Sequence, residues 1–279
     1  MLALASAALF GSMTVALRFA LARAPDAEAG ALHTIAAALL VTLPFVAAGE
    51  IDLAGIWPFL LAGVLGPGSS QLFFTLAVRD AGPSRTSVTV GTAPLFSVAI
   101  ALVLLGEPAK AGVIVGAVLI VAGGILLVRE PGRPEHVKWI GLGYALAATI
   151  VFAVRDNLVR HLSLDSDVPS MTAGAVMLAA SLVVTSAIVA GARQRVAWPT
   201  PVIARWLVPG AFVGFSYVAL FEAFYRGTVS VVSPIVATES LFGVAFSAWF
   251  LGRSEGIGRR VVAGALLVVS GAVLITVFR

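Results

Sequence analysis

The chain contains no cysteine, and of its 279 residues only three are histidine and 11% are charged. Without cysteine there is no disulfide framework, no thiolate nucleophile and no cysteine-based metal site. His33, His136 and His161 are too scattered to form a metal cluster, so neither a metal nor another cofactor is expected. No HExxH occurs, and no histidine lies deep in an apolar run with a carboxylate one turn away, so no catalytic residues are assigned. The charge content is less than half the roughly 25% of a soluble domain. A globule of this size in water would have nowhere to hide the remaining apolar surface.

What the chain has instead is hydrophobic residues, 59% of the total, with a mean hydropathy of +1.03. A bilayer-crossing helix needs about 20 mostly apolar residues. Ten runs qualify: 2–22, 29–48, 57–78, 84–105, 110–128, 139–160, 169–190, 203–225, 229–251 and 257–278. They are continuously apolar rather than alternating, which excludes a β-barrel. The first run lacks a basic leader and is followed by many like it, so it reads as a retained span rather than a signal peptide. Turn-forming residues mark the short connections at Ala24-Pro25-Asp26, Ala81-Gly82-Pro83, Pro131-Gly132-Arg133-Pro134 and Trp198-Pro199-Thr200-Pro201. The 18 basic residues give a pI near 10.1. They stand singly or in pairs between the apolar runs, which fits membrane-flanking charges and not nucleic-acid binding.

The chain also repeats itself. PLFSVAIALVLLGE (94–107) and SLFGVAFSAWFLGR (240–253) agree at six of fourteen positions. GAVLIVAGGILLV (116–128) and GALLVVSGAVLIT (264–276) agree at six of thirteen. Phe10 to Arg18 aligns with Phe152 to Arg160, phenylalanine on phenylalanine and arginine on arginine. Two units result, 1–128 and 138–279, with five spans each. Because five is odd, the second unit enters the membrane from the opposite side. The expected fold is therefore an all-α integral membrane protein of ten transmembrane helices, built as two inverted five-helix repeats. Halves of this kind can exchange shapes and move an opening from one face to the other.

LFGSM (9–13), AGPSRTSVTVGTAPLFSVAIALVLLGEP (81–108) and GAVLIVAGGILLV, with the weaker second copy TVSVVSPIVATESLFGVAFSAWFLGR (228–253), resemble the EamA-type members of the drug/metabolite transporter superfamily. The resemblance covers nearly the whole chain and implies a basket of ten helices. Helices 1, 3, 4, 6, 8 and 9 would line a central cavity for a small metabolite such as an amino acid, a nucleotide sugar or a phosphorylated sugar. Small multidrug relatives exchange protons on a carboxylate in their first helix. Here the first run, 2–22, has no acid, which argues against that route.

An ionisable side chain at membrane depth needs a reason to be there. Glu239 is about eleven residues into its 23-residue run, near the midplane. It reads either as a cavity acid that binds a cationic group or carries a proton, or as a protonated, hydrogen-bonded link between helices. Arg155 suits a substrate carboxylate or phosphate and is the candidate partner of Glu239. Asn157, Gln71 and Tyr217 complete the expected substrate site. Asp156 with Arg160 and Glu222 with Arg226 are four residues apart and are expected to form ion pairs. Short polar residues on the fourth and ninth runs, including Thr89, Thr92, Ser230, Ser233 and Thr238, can bond back to their own helices.

These features favour a gradient-driven transporter that works by alternating access on a small polar metabolite. The alternatives are a membrane receptor or structural subunit, which the short loops disfavour, and, further behind, an intramembrane enzyme. The expected setting is the bacterial inner membrane, with lipid and a small-molecule substrate as partners and the chain a monomer or weak homodimer. Thirteen of the 18 basic residues lie at the 1–2, 3–4, 5–6, 7–8 and 9–10 ends of the spans, on the connections or in the helix turns that flank them. The positive-inside rule would put those connections in the cytoplasm and both termini outside, whereas the family resemblance leans towards cytoplasmic termini.

Overall fold

The computed structural model describes residues 1–50, 52–104, 110–128, 137–164, 166–191, 200–227 and 229–278. Those residues form helices and short connections. The order is α1 (Leu2–Leu21), α2 (Ala27–Ala47), α3 (Trp57–Leu65), α4 (Pro67–Ala81), α5 (Pro83–Val90), α6 (Ala93–Leu104), α7 (Ala111–Val128), α8 (Trp139–Leu164), α9 (Ser170–Gly191), α10 (Thr200–Arg226), α11 (Val229–Ala237), α12 (Glu239–Phe250) and α13 (Arg259–Phe278). A 3₁₀ turn, Gly252–Glu255, joins α12 to α13.

Among the described residues eight helical segments are long and apolar enough to cross a membrane, counting α3–α4 and α11–α12 each as one. The 18-residue α7 is apolar but shorter. The outer surface carries large hydrophobic side chains such as Leu61, Val64, Val118, Val183 and Trp249, while Ser6, Gln71, Arg155, Asp156 and Glu239 are buried. This polarity suits a solvent of hydrocarbon, where every backbone polar group must be satisfied within the fold.

Local sequence explains the helix ends. The Asp26 side chain accepts from the Ala29 amide at 3.0 Å and starts α2. Gly82 takes φ +82°, a conformation closed to most other residues, and Pro83 opens α5 directly after it. The third run breaks at Gly66, where Pro67 follows and disfavours helical geometry in the residue before it. The fourth breaks between α5 and α6, and the ninth at Thr238. At these last two breaks Thr92 and Thr238, which align in the repeat, make the same bond: Thr92 Oγ1 donates to Thr89 O at 2.6 Å and Thr238 Oγ1 to Ile235 O at 2.5 Å. Of the other small polar residues named above, Ser230 falls among side chains outside the described set.

The packing pairs largely exchange when the two halves of the chain are swapped. α1 packs on α10 as α4 packs on α8; α2 packs on α10 as α3 and α4 pack on α9; α1 packs on α12 as α5 and α6 pack on α8. α7 and α13 run antiparallel, and their glycines meet reciprocally. A Cβ at Gly116 would lie 2.6 Å from Gly271 O, and one at Gly264 would lie 3.1 Å from Gly123 O. Small residues at these points let the two backbones touch.

Candidate functional site

Several buried polar residues gather where the ninth run breaks. α8 brings Arg155 and Asp156, α11 brings Ser233, and α12 begins with Glu239. These line one cavity together with Phe10 of α1, Val90 of α5, Ala93 and Pro94 of α6, Phe152 of α8 and Leu220 of α10. The cavity measures about 20 Å³, room for about one water molecule, so the helices are closed around it.

Arg155 is the most heavily engaged group. Its Nε and Nη2 hold Asp156 Oδ1 at 2.8 and 2.7 Å, and its Nη1 donates to Tyr217 Oη of α10 at 2.7 Å. The guanidinium carbon lies 4.6 Å from the centre of the Phe152 ring and 5.2 Å from that of Tyr217, within cation–π range. Phe152 meets Phe10 edge-on at 5.8 Å and Phe74 at 6.1 Å, while Tyr217 stacks on Phe221 at 5.6 Å. The arginine is thus held by a carboxylate, a phenol and two rings, with all its neighbours buried. Glu239 is also buried and makes no ion pair among the described residues; the cation that shares its cavity is Arg155. The Ser233 hydroxyl is buried there without a protein hydrogen-bond partner among the described residues.

The expected site residues divide accordingly. Arg155, Tyr217 and Glu239 converge on or beside the cavity. Gln71 is buried in α4, where its Nε2 donates to Thr75 Oγ1 at 3.3 Å, and it does not line the cavity. The Asn157 amide donates to Ala153 O at 2.8 Å on its own helix. The third span contributes no residue to the cavity lining; only Phe74 reaches the ring cluster that borders it.

The expected pairing of Asp156 with Arg160 is corrected: Asp156 pairs with its chain neighbour Arg155. Side chains at adjacent positions do not face each other on a helix surface, but in a buried interior the long arginine side chain folds back onto the neighbouring carboxylate. Arg160 instead donates to Phe224 O at 2.9 Å, in the last turn of α10, where carbonyls lack helical partners. Arg226 Nε donates to Glu222 Oε1 at 2.6 Å, one turn apart, and Ser170 Oγ also donates to Glu222.

A second polar cluster was missed in the sequence. Glu255, in the 3₁₀ turn before α13, is fully buried. Its Oε1 lies 3.4 Å from Arg18 Nε of α1, and Ser84 Oγ of α5 donates to its Oε2 at 3.4 Å. Arg85 of α5 donates to Glu255 O at 3.0 Å and Gly256 O at 3.4 Å. Burial pushes the Glu255 carboxyl up from its ordinary range, against the opposing pull of Arg18, Arg85 and Ser84. Nearby, Asp80 is held by Arg79 and Lys138 at 2.9 and 3.2 Å. Glu255 sits in a short Ser-Glu-Gly loop, which reads as solvent-exposed; only the positive-φ glycine at 82, made to fit it, hints otherwise. A Cβ at Gly82 would stand 2.5 Å from Glu255 Oε2.

A helical fold with apolar spans, a polar interior and a buried charge cluster defines a multi-pass integral membrane protein. The chain belongs to the EamA-like transporter family, whose sequence profile matches residues 1–129 and, a second time, residues 139–277. It is 26% identical over 221 residues to a protein of Streptantibioticus cattleyicolor named as a probable terminal-alkyne amino-acid exporter, covering 77% of this chain and 71% of that one. A solved crystal structure superposes on 98% of this chain and 96% of its own with a TM-score of 0.64 at 21% identity, which shows a shared fold.

Proposed function

We propose that the protein is a secondary transporter that carries a small zwitterionic metabolite, an amino acid or close relative, by alternating access between two inverted five-helix units, 1–128 and 138–279, with ten spans in all. In this reading α5 with α6, and α7, supply the fourth and fifth spans. One observation carries the proposal: an arginine, an acid and a hydroxyl without a partner among the described residues, from three helices, line one closed cavity at a break in the ninth span. The exchangeable helix pairs, the two family matches and the name of the Streptantibioticus relative support it. Arg155 is suited to a carboxylate and Glu239 to an ammonium group. The cavity, closed to little more than one water, stands for a state that must open to admit substrate.

The test is flux. Purified protein in sealed vesicles should take up labelled neutral amino acids saturably. Glu239→Gln and Arg155→Gln should each lower that flux roughly tenfold or more, because each removes a charged hydrogen-bonding partner, while the variants still insert and melt cooperatively. Undiminished flux in both variants would exclude this site. A chemically altered product inside the vesicles would point to an enzyme instead.

A further inference from the structure

Away from the central cavity, α1 packs against both α10 and α12, and residues of all three helices line a second space. This space is a lateral groove of about 580 Å³. Its floor is Ser12, Val15, Ala16, Phe19 and Ala20 of α1, and its walls are Val208 and Phe212 on one side and Phe246 and Phe250 on the other. Phe19, Val208 and Phe250 are exposed. From Ser12 to Arg23 the floor covers eleven residue steps, about 16 Å at 1.5 Å per residue. That is the depth of one hydrocarbon leaflet, half of a core about 30 Å thick.

The charged residues of the groove lie at one end; at the other, the Ser12 hydroxyl donates to Ala8 O at 2.9 Å on its own helix. Arg23 and Arg205 both line the charged end and both are exposed. Arg205 Nη1 donates to Arg23 O at 2.9 Å, which fixes its guanidinium beside Arg23. No carboxylate lines the groove among the described residues. The two acids that follow Arg23 in the sequence are engaged elsewhere: Asp26 caps α2, and Glu28 faces Arg79 at 3.9 Å. Two guanidiniums with no lining acid among the described residues, at the end of an apolar slot about as long as one leaflet is deep, match the two ends of one kind of molecule. A guanidinium fork suits phosphate oxygens, and basic pockets at helix ends are a common seat for anionic head groups.

We propose that this groove is a binding site for an anionic phospholipid, with its phosphate on Arg23 and Arg205 and one acyl chain along α1 between Val208 and Phe250. The site is separate from the central cavity and does not depend on what the cavity carries. Delipidated full-length protein is titrated in detergent with phosphatidylglycerol or with phosphatidylcholine of the same chains. Bound lipid is counted by native mass spectrometry and thermal melting is recorded in parallel. One phosphatidylglycerol should be retained in preference to phosphatidylcholine and should raise the melting temperature. The double change Arg23→Gln, Arg205→Gln should weaken that retention roughly tenfold or more, and Arg23→Lys, Arg205→Lys should keep most of it. Ala16→Trp, which fills the floor, should abolish retention of either lipid. Equal retention of the two lipids by the wild-type protein would overturn the proposal, as would a glutamine double variant that keeps the preference. So would a zwitterionic amphiphile that displaces phosphatidylglycerol from the groove.

Discussion

Arg155 and Asp156 form a buried pair, and buried pairs are weak evidence for stability, since desolvation can outweigh the attraction. Their mutants separate structure from function. Asp156→Ala leaves a buried guanidinium with Tyr217 as its polar side-chain partner among the described residues and should destabilise the fold by about 3–5 kcal/mol. The double change Arg155→Met, Asp156→Leu removes both charges and should recover most of that loss in a thermal or denaturant melt while transport stays absent. If the double variant transports normally, the pair is scaffold. Glu255 allows a second test by titration. Its carboxyl titrates above the ordinary 4.5 in the folded protein. The stability it contributes is therefore present at low pH and lost as pH rises from that value through the raised one. Arg18, Arg85 and Ser84 face it. Wild-type protein should melt lower as pH climbs through the window. Glu255→Gln should flatten that dependence, and an unchanged slope in the variant would show that another group sets it.

At the scale of helices, the antiparallel contact of α7 with α13 is the most sharply testable. Gly116→Ala and Gly271→Ala would each drive a Cβ to within 2.6 Å of a facing carbonyl, and overpacking of that kind costs about 1–3 kcal/mol. Gly124→Ala meets nothing within 4 Å and should be neutral in the same melt. The glycine positions were readable because they recur in both copies of GAVLIVAGGILLV, and the spans because bilayer thickness imposes a length that composition alone can match. The breaks were harder. Gly66-Pro67 carries a local signal, but the break before Glu239 depends on Thr238 bonding back to Ile235, which any threonine in a helix can do. The site was half legible. Rarity at depth singled out Arg155 and Glu239, whereas helical spacing misassigned Asp156 to Arg160, because a dry interior favours the nearest partner over the regular one. Gln71 and Asn157 bond within their own helices, and their sequence positions carry no sign of that.

For the whole molecule, the proposed ten spans put both termini on one face, so a reporter active on only one side should give the same answer when fused at either end. The charge count favours the outside for that face and the family resemblance favours the cytoplasm, so the reporter decides between them. The larger claim is that the closed cavity opens to each face in turn. The absence of any native cysteine makes it directly measurable. Ser233 lines the cavity, and Ser233→Cys changes one atom in a protein with no other thiol. A membrane-impermeant thiol reagent is applied to right-side-out vesicles and, separately, to inverted ones. Alternating access requires labelling from both sides, and saturating substrate should slow it in each case. Labelling from one face alone, or from neither, would contradict it.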